Sequence, residues 1–240
     1  MATIALANTA APHTSLLRET VRRFMKHRLA LGGSVVLAML VVAVLFGPYF
    51  YRVPIDEIDF KAKLKGPSWS HPLGTDDLGQ DVLARMLYGG RISLAVGVTS
   101  MLIAIIVGVL LGAAAGFAGG TTDNVLMRVT DLFLCLPGLP LLLLLVYLFR
   151  EPLKKVLGPE AGVFILVVIV IGGLRWMAVA RLVRAQFLSL REKEFVEAAR
   201  GLGAPALRQV RQHILPNAMG PVIVAATIDV ATAIIAESTL

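Results

Sequence analysis

Few side chains in this 240-residue sequence have the types and spacing that catalysis requires. The four histidines lie far apart, at positions 13, 27, 71 and 213, and the single cysteine, Cys135, sits in an apolar run. The sequence contains no G-x-x-x-x-G-K-[ST] loop, H-E-x-x-H pair or G-x-S-x-G turn, so phosphate-loop ATP binding, zinc-protease and serine-hydrolase chemistry are not indicated. We therefore expect neither catalytic residues nor a metal site in this chain.

Composition shifts attention to charged residues in apolar surroundings. With 57% hydrophobic residues, 16% charged residues and a mean hydropathy of +0.78, the chain is typical of an all-α polytopic membrane protein. In such proteins an excess of Lys and Arg marks the loops that stay in the cytoplasm. The cytoplasmic loops therefore account for the formal charge of +7, and we expect no nucleic-acid partner. Membrane lipid is the expected surrounding.

Ionisable residues inside apolar spans are costly, so they mark candidate functional positions. Asp229 and Glu237 lie in the last apolar span. For Asp229, lining a translocation path and pairing across an interface remain equally open. Arg128 and Asp131 lie three residues apart on one helical face, and we predict that they form a structural charge pair.

Proline, glycine and arginine predict how the spans bend and meet. Pro137 and Pro140 should kink the third span beside a cavity or another helix, which makes Pro137 a candidate for the translocation path. Arg175 is expected to extend its guanidinium to the lipid headgroups, with a position facing the lumen as the alternative. A stripe of small residues at four-residue spacing predicts close helix packing, within this subunit or across a subunit pair: Gly108, Gly112 and Gly116.

Stretches long enough to cross a hydrocarbon core of ~30 Å predict five spans. Residues 1–28 should form a basic N-terminal arm and 29–51 the first transmembrane helix. Residues 52–91 should form an extracytoplasmic segment with an amphipathic helix capped by Asp77 and Gln80. The core, 92–240, contains the other spans, at 92–117, 125–149, 161–180 and 219–240. Seven Lys and Arg in 181–218, against six in 52–91 and three in 150–160, favour a cytoplasmic N-terminus by a modest margin.

The polar segment 189–217, between the last two spans, reads as two short helices joined by a glycine bend. Ser189 and Glu192 fit a capping box, and Gly203 supplies the bend. Pro205 suits the start of the second helix and Pro216 its end. One apolar stripe should run along that second helix: Leu207, Val210 and Ile214.

These residues resemble the EAA loop of ABC importer permeases. The resemblance lies in the Glu197-Ala198-Ala199 run, Gly203 and Leu215-Pro216. His213 replaces the usual isoleucine, which is similar to the dipeptide/oligopeptide branch of the family. HPLGTDDLGQDV, starting at His71, also resembles the C-type subunit of that branch, although Gln80 replaces its usual arginine. The resemblance covers nearly all of residues 18–240.

The resemblance implies a type I importer transmembrane domain in a bacterial plasma (inner) membrane; the sixth span of that family is not found within residues 1–240. It implies a second, different permease subunit, an extracytoplasmic substrate-binding protein and two ATP-binding subunits that hold ATP and magnesium; this chain would hold no cofactor. The loop 189–217 would transmit motion from the ATPases. The residues expected to couple are Glu197, Ala198, Ala199, Gly203, Leu207, Val210, Arg211, Ile214 and Pro216.

Other functions remain as alternatives. A permease of the same family could carry nickel or another small solute. An ion-coupled secondary transporter would use Asp229, Glu237 and the Arg128/Asp131 charges, but the sequence shows no inverted repeat. A membrane assembly protein would bind partners without transporting anything. Substrate-dependent ATP turnover in associated subunits distinguishes the importer from the last two.

Overall fold

The computed structural model describes residues 16–240, with side chains described from residue 21. Residues 1–15 of the expected N-terminal arm lie outside the described part. Within 16–240 the chain is helical apart from its connections and one isolated bridge, Thr75 to Asp81. It divides into two compact units, the first ending at Gly89 and the second beginning at Gly90.

From residue 16 onwards, the first unit contains two helices, a polar segment and the start of a third helix. Helix α1 spans Leu16–Lys26, and α2 spans Arg28–Phe50. Helix α2 is apolar on all sides and buries none of its residues in the chain, as expected of a helix surrounded by lipid. A 3₁₀ turn, Phe60–Ala62, follows in the polar segment, and α3 begins at Val82.

Asp81 fixes the junction between the polar segment and α3. Its Oδ1 accepts a hydrogen bond from the Ala84 amide at 2.7 Å, so Asp81 caps the helix. Its Oδ2 accepts from the Tyr51 hydroxyl at 2.7 Å and lies 2.8 Å from His71 Nδ1. The predicted cap by Asp77 and Gln80 is therefore wrong. Nor does α3 stop after an amphipathic turn, because it continues through Gly89 and Gly90 as one helix, Val82–Ala118.

Two ionisations follow from these contacts. Burial disfavours the Asp81 carboxylate, but hydrogen bonds from the Ala84 amide, Tyr51 and His71 outweigh it and lower the pKa of Asp81. Burial and the hydrogen bond to this carboxylate raise the pKa of Tyr51 to about 12. At neutral pH Asp81 is thus a carboxylate and Tyr51 a neutral donor.

The second unit contains the remaining helices and most of α3. After α3 come α4 (Gly120–Leu134), α5 (Gly138–Leu157), α6 (Pro159–Gly173), α7 (Trp176–Leu190), α8 (Glu194–Gly201), α9 (Ala206–Arg208) and α10 (Leu215–Ser238). In the described part of the chain, four stretches are long and apolar enough to cross a membrane, namely Arg28–Phe50, Val82–Ala118, Pro159–Leu190 and Ala206–Ser238. Helices α4 and α5, bent by 82°, make a fifth if they count as one broken span. The all-α, five-span expectation agrees with this.

The bend between α4 and α5 lies where the prolines predicted it. Pro137 precedes the first residue of α5 in extended backbone (φ −69°, ψ 109°), and Pro140 lies in the first turn, where a missing amide costs nothing. The expected connection at 150–160 is shorter, because α5 continues to Leu157 and Gly158 makes the turn (φ +86°).

Helix α3 packs against α7 along the predicted glycine stripe. A Cβ atom at Gly108 would lie 2.6 Å from Val179 Cβ, and one at Gly116 would lie 2.6 Å from Phe187 Cβ. A Cβ at Gly112 would collide with the Ala180 carbonyl oxygen. The stripe thus confirms the close-packing prediction and places the contact inside this chain. We call it the α3–α7 seam.

Candidate coupling site and intramembrane charges

Helix α8 follows α7 after a connection of three residues, 191–193. It begins at Glu194, and the Lys193 carbonyl accepts from the Val196 amide at 2.9 Å and the Glu197 amide at 3.1 Å. The predicted capping box is wrong, because Ser189 still lies within α7, which extends to Leu190 on packing from Phe187. The acidic residues Glu194 and Glu197 instead lie in the first turn of α8, where the helix dipole favours negative charge.

Gly203 makes the bend that the sequence predicted. Its φ is +81°, a left-handed conformation that a side chain disfavours, although no atom lies within 4 Å of the Cβ position. The Ala204 amide returns to the Ala199 carbonyl at 3.0 Å and closes the end of α8. The direction of the chain after α8 therefore depends on this backbone conformation.

The second helix of the loop does not end at Pro216. Pro205 precedes α9, a π-helical turn spans Gln209–Ile214, and α10 begins at Leu215 without a break. Pro216 occupies the first turn of α10, where its missing amide is tolerated beside the widened π turn. The expected terminator thus marks the place where the loop helix runs directly into the last span.

Burial divides the predicted apolar stripe. Ile214 is fully buried in a cluster with Val196 of α8 and with Val183 and Phe187 of α7, and Val210 packs at its edge. Leu207 is 75% exposed, and Leu202, next to the bend, is 90% exposed. Ala199 faces inward, while the other coupling candidates lie on the surface: Glu197, Ala198, Gly203, Arg211 and Pro216. One side of this loop is anchored and its tip carries exposed apolar side chains; we call residues 194–214 the coupling module.

Asp229 is paired inside the chain. Its Oδ1 accepts from Arg175 Nη2 at 2.7 Å and from Nε at 3.2 Å, and Arg175 also donates to the Thr232 hydroxyl. Arg175 lies in the break between α6 and α7, and Asp229 is buried on α10. The snorkelling predicted for Arg175 is therefore wrong, because a carboxylate on a neighbouring helix holds its guanidinium.

The other path candidates, Glu237 and Pro137, have different surroundings. Glu237, eight residues further along α10, accepts a hydrogen bond from the Ser93 hydroxyl of α3 at 2.8 Å. Pro137 lies at the bend between α4 and α5. The structure joins neither of them to Asp229 by a hydrogen bond.

Arg128 and Asp131 do not form the predicted pair. Asp131 instead forms an ion pair with Arg181 of α7, and Asp123 of α4 accepts from Arg184 Nη2 at 2.6 Å. The three-residue spacing within α4 allowed Arg128 to reach Asp131, but the guanidinium of Arg181 on α7 binds that carboxylate instead. Sequence reasoning missed Asp123, Arg181 and Arg184. The sequence did contain a signal for these pairs, because α4 has two acidic residues and α7 has two arginines that are three residues apart.

Helix α7 also contacts neighbouring helices near both of its ends. Near its start, Trp176 meets Phe133 of α4 edge to face with ring centroids 6.1 Å apart. Beyond its end, Arg191 Nη1 donates to the Gly116 carbonyl of α3 at 3.3 Å. Displacement of the coupling module would thus act on a helix fastened to α3 and α4.

Comparison with known proteins decides the family. Residues 108–240 match the family described as binding-protein-dependent transport system inner membrane component. Residues 15–67 match the N-terminal transmembrane domain of oligopeptide transport permease C. The chain belongs to the ABC importer permeases, in their oligopeptide/dipeptide branch. This permease is thus a multi-pass membrane protein, as the apolar helices indicate.

Individual relatives agree with that assignment. The permease is 35% identical over 226 residues to the oligopeptide transport system permease protein OppC of Bacillus subtilis, covering 94% of this chain and 70% of the relative. It is 38% identical over 229 residues to the dipeptide transport system permease protein DppC of the same organism, covering 95% and 68%. OppC of Haemophilus influenzae is 36% identical over 228 residues, covering 94% and 70%.

Proposed function

We propose that this permease is one of two membrane subunits of a bacterial importer for dipeptides or oligopeptides. The three relatives reported above are named for these two classes of substrate, which favours peptides over nickel or another small solute. ATP and magnesium would bind in two partner ATPase subunits, and an extracytoplasmic protein would deliver the peptide. The N-terminus would lie in the cytoplasm, which places the coupling module on the side where ATP is.

The structure of the coupling module supports a role in transmitting motion from the ATPase subunits to the membrane spans. Val196 and Ile214 anchor it to α7, while Leu202 and Leu207 remain exposed at its tip. Exposed apolar side chains beside a rigid anchor are typical of an interaction surface. Because α9, the π turn and α10 follow without interruption, a push on Leu207 would reach the last span through helix rather than through loop. Closure of the ATPases would thereby shift the population between outward-open and inward-open states.

Arg175 and Asp229 are the best-supported candidates for the translocation path. The Arg175 side chain remains 29% exposed in a stretch long and apolar enough to cross a membrane. Exposing a guanidinium to hydrocarbon is costly, so its open edge should face water or the second permease. Glu237 and Pro137 remain candidates on the same path.

Co-purification tests this function. Tagged wild type should bring down two ATPases with phosphate-loop motifs and a second permease from its native membrane. Gly203→Arg should reach the membrane at the wild-type level but lose the ATPases, because the backbone conformation and the module tip are both disturbed. The matched control is Gly201→Arg, which also has open space at the Cβ position but no left-handed backbone. Wild type that brings down no ATPase would contradict the importer function.

A further inference from the structure

Helix α1 has two chemically different sides that no other feature of the permease explains. Its apolar side chains recur at helical spacing and are exposed by 55%, 45% and 65%: Val21, Phe24 and Met25. The opposite side is cationic, with Arg22, Arg23 and Lys26. The helix sequence, LLRETVRRFMK, contains a single acidic residue, Glu19. The charge of α1 therefore complements an anionic surface.

A built-in break separates α1 from the first membrane-crossing helix. His27 adopts extended backbone (φ −92°, ψ 94°), so the two helices cannot continue along one axis. Its Nδ1 accepts from the Ala30 amide at 3.2 Å and caps α2 as an independent helix. The chain thus changes direction one residue before α2, the helix that enters the hydrocarbon.

This position decides what α1 meets. A segment joined by one residue to the end of a membrane-crossing helix lies at the headgroup level. Eleven residues of helix extend ~16 Å, so α1 stays within reach of the surface along its whole length. Left in water there, Phe24 and Met25 would expose apolar area that the acyl boundary would bury, and Arg22 and Lys26, four residues apart, would meet phosphate oxygens.

We propose that α1 is a lipid-binding helix that lies along the membrane surface, with Val21, Phe24 and Met25 in the acyl boundary and Arg22 and Lys26 on anionic headgroups. Helix α1 should bind anionic lipids such as phosphatidylglycerol in preference to zwitterionic lipids. Each basic residue near such a surface contributes about a fivefold preference. The proposal is independent of which solute the permease carries and of the ATPase-docking role of the coupling module.

Site-specific fluorescence in defined lipid tests the proposal. The purified transporter, with its co-purifying subunits, carries Cys135→Ser and a single NBD label at Met25→Cys or at Arg22→Cys. It is placed in nanodiscs of phosphatidylcholine with or without 30% phosphatidylglycerol. With phosphatidylglycerol, we expect the label at 25 to emit at shorter wavelength and be quenched by nitroxide lipid, while the label at 22 stays open to iodide.

The charge variant supplies the matched control. Arg22→Gln/Lys26→Gln, labelled at 25, should lose the preference for phosphatidylglycerol about 25-fold, and 0.5 M salt should weaken the wild type in the same direction. Equal iodide access at 22 and 25 in anionic nanodiscs would overturn the proposal. So would protection of residue 25 that is the same in both lipids and vanishes when the partner subunits are stripped, since that result would show a protein contact.

Discussion

Helix α7 joins two regions of opposite construction, the α3–α7 seam and the coupling module. Along the seam, glycines bring α3 so close to Val179, Val183 and Phe187 that a methyl group would not fit. In the module, Gly203 is surrounded by open space, and Leu202 and Leu207 have no cover. Glycine thus serves close approach in the first region and backbone conformation in the second.

The difference assigns a mechanical role to each region. A seam without spare volume cannot slide gradually, because packed interiors resist small deformation. The module has one anchored side and one free side, as expected of a part completed by another protein. We infer that α7 moves with α3 as one body and that the module is the place where force enters.

The Arg175–Asp229 pair should give the largest effect in the packed region. Arg175→Met leaves a buried carboxylate without its cation and should destabilise the folded protein by about 3–5 kcal/mol. The measurement is the temperature at which half of the detergent-purified chain remains monodisperse. Arg175→Met/Asp229→Leu removes both charges and should recover most of the loss. A double variant as unstable as the single one would show that the pair does not hold α10 to the start of α7.

The seam itself should respond to a single methyl group. Gly112→Ala drives a Cβ into the Ala180 carbonyl and should cost about 1–3 kcal/mol in the same melting measurement. Gly173→Ala is the control, because nothing lies within 4 Å of that Cβ position. Equal melting of the two variants would mean that α3 and α7 are not packed as tightly as described.

The coupling module should respond in transport more than in stability. Gly203→Ala places a side chain at a φ of +81°, at a local cost of about 1–2 kcal/mol. Since the tip is exposed, the melting temperature should fall less than for Gly112→Ala, while peptide uptake falls strongly. Gly201→Ala, at the end of α8, should leave uptake unchanged. If Gly201→Ala also lost uptake, the conformation of Gly203 would not be specifically required for transport.

We expect the smallest change in melting temperature at Asp81, which lies outside both the α3–α7 seam and the coupling module. Hydrogen bonds lower its pKa in the folded protein, so they stabilise the fold above the carboxyl pKa of the unfolded chain, ~3.9, and this contribution is lost as the pH falls through the folded value. Asp81→Asn still caps α3 but loses the charge. The variant should melt slightly below wild type at pH 7 and coincide with it in strong acid. A gap that widens on acidification would contradict the assignment.

Local signals in the sequence predicted much of this structure. The positive φ of Gly203, the glycine seam and the bend at Pro137 each depend on one residue type in one backbone setting, and the spans depend on length and hydropathy. Partner choice could not be predicted in this way. Asp131 selects Arg181 over Arg128, and Arg175 meets Asp229 across 54 positions, because helix rotation and packing decide which charges face each other. The Ser189 capping box failed for the same reason, since packing of Phe187 carries α7 past it.

Photocrosslinking from the module tip tests whether the coupling module docks on an ATPase subunit. A benzophenone side chain at Leu202, 90% exposed, is compared with one at Tyr147, 81% exposed on α5, in membranes containing the native transporter. We predict a crosslink from position 202 to a phosphate-loop ATPase, with a yield that changes on addition of a non-hydrolysable ATP analogue, and no such product from position 147. Crosslinks from position 202 to lipid or to permease chains alone would contradict it.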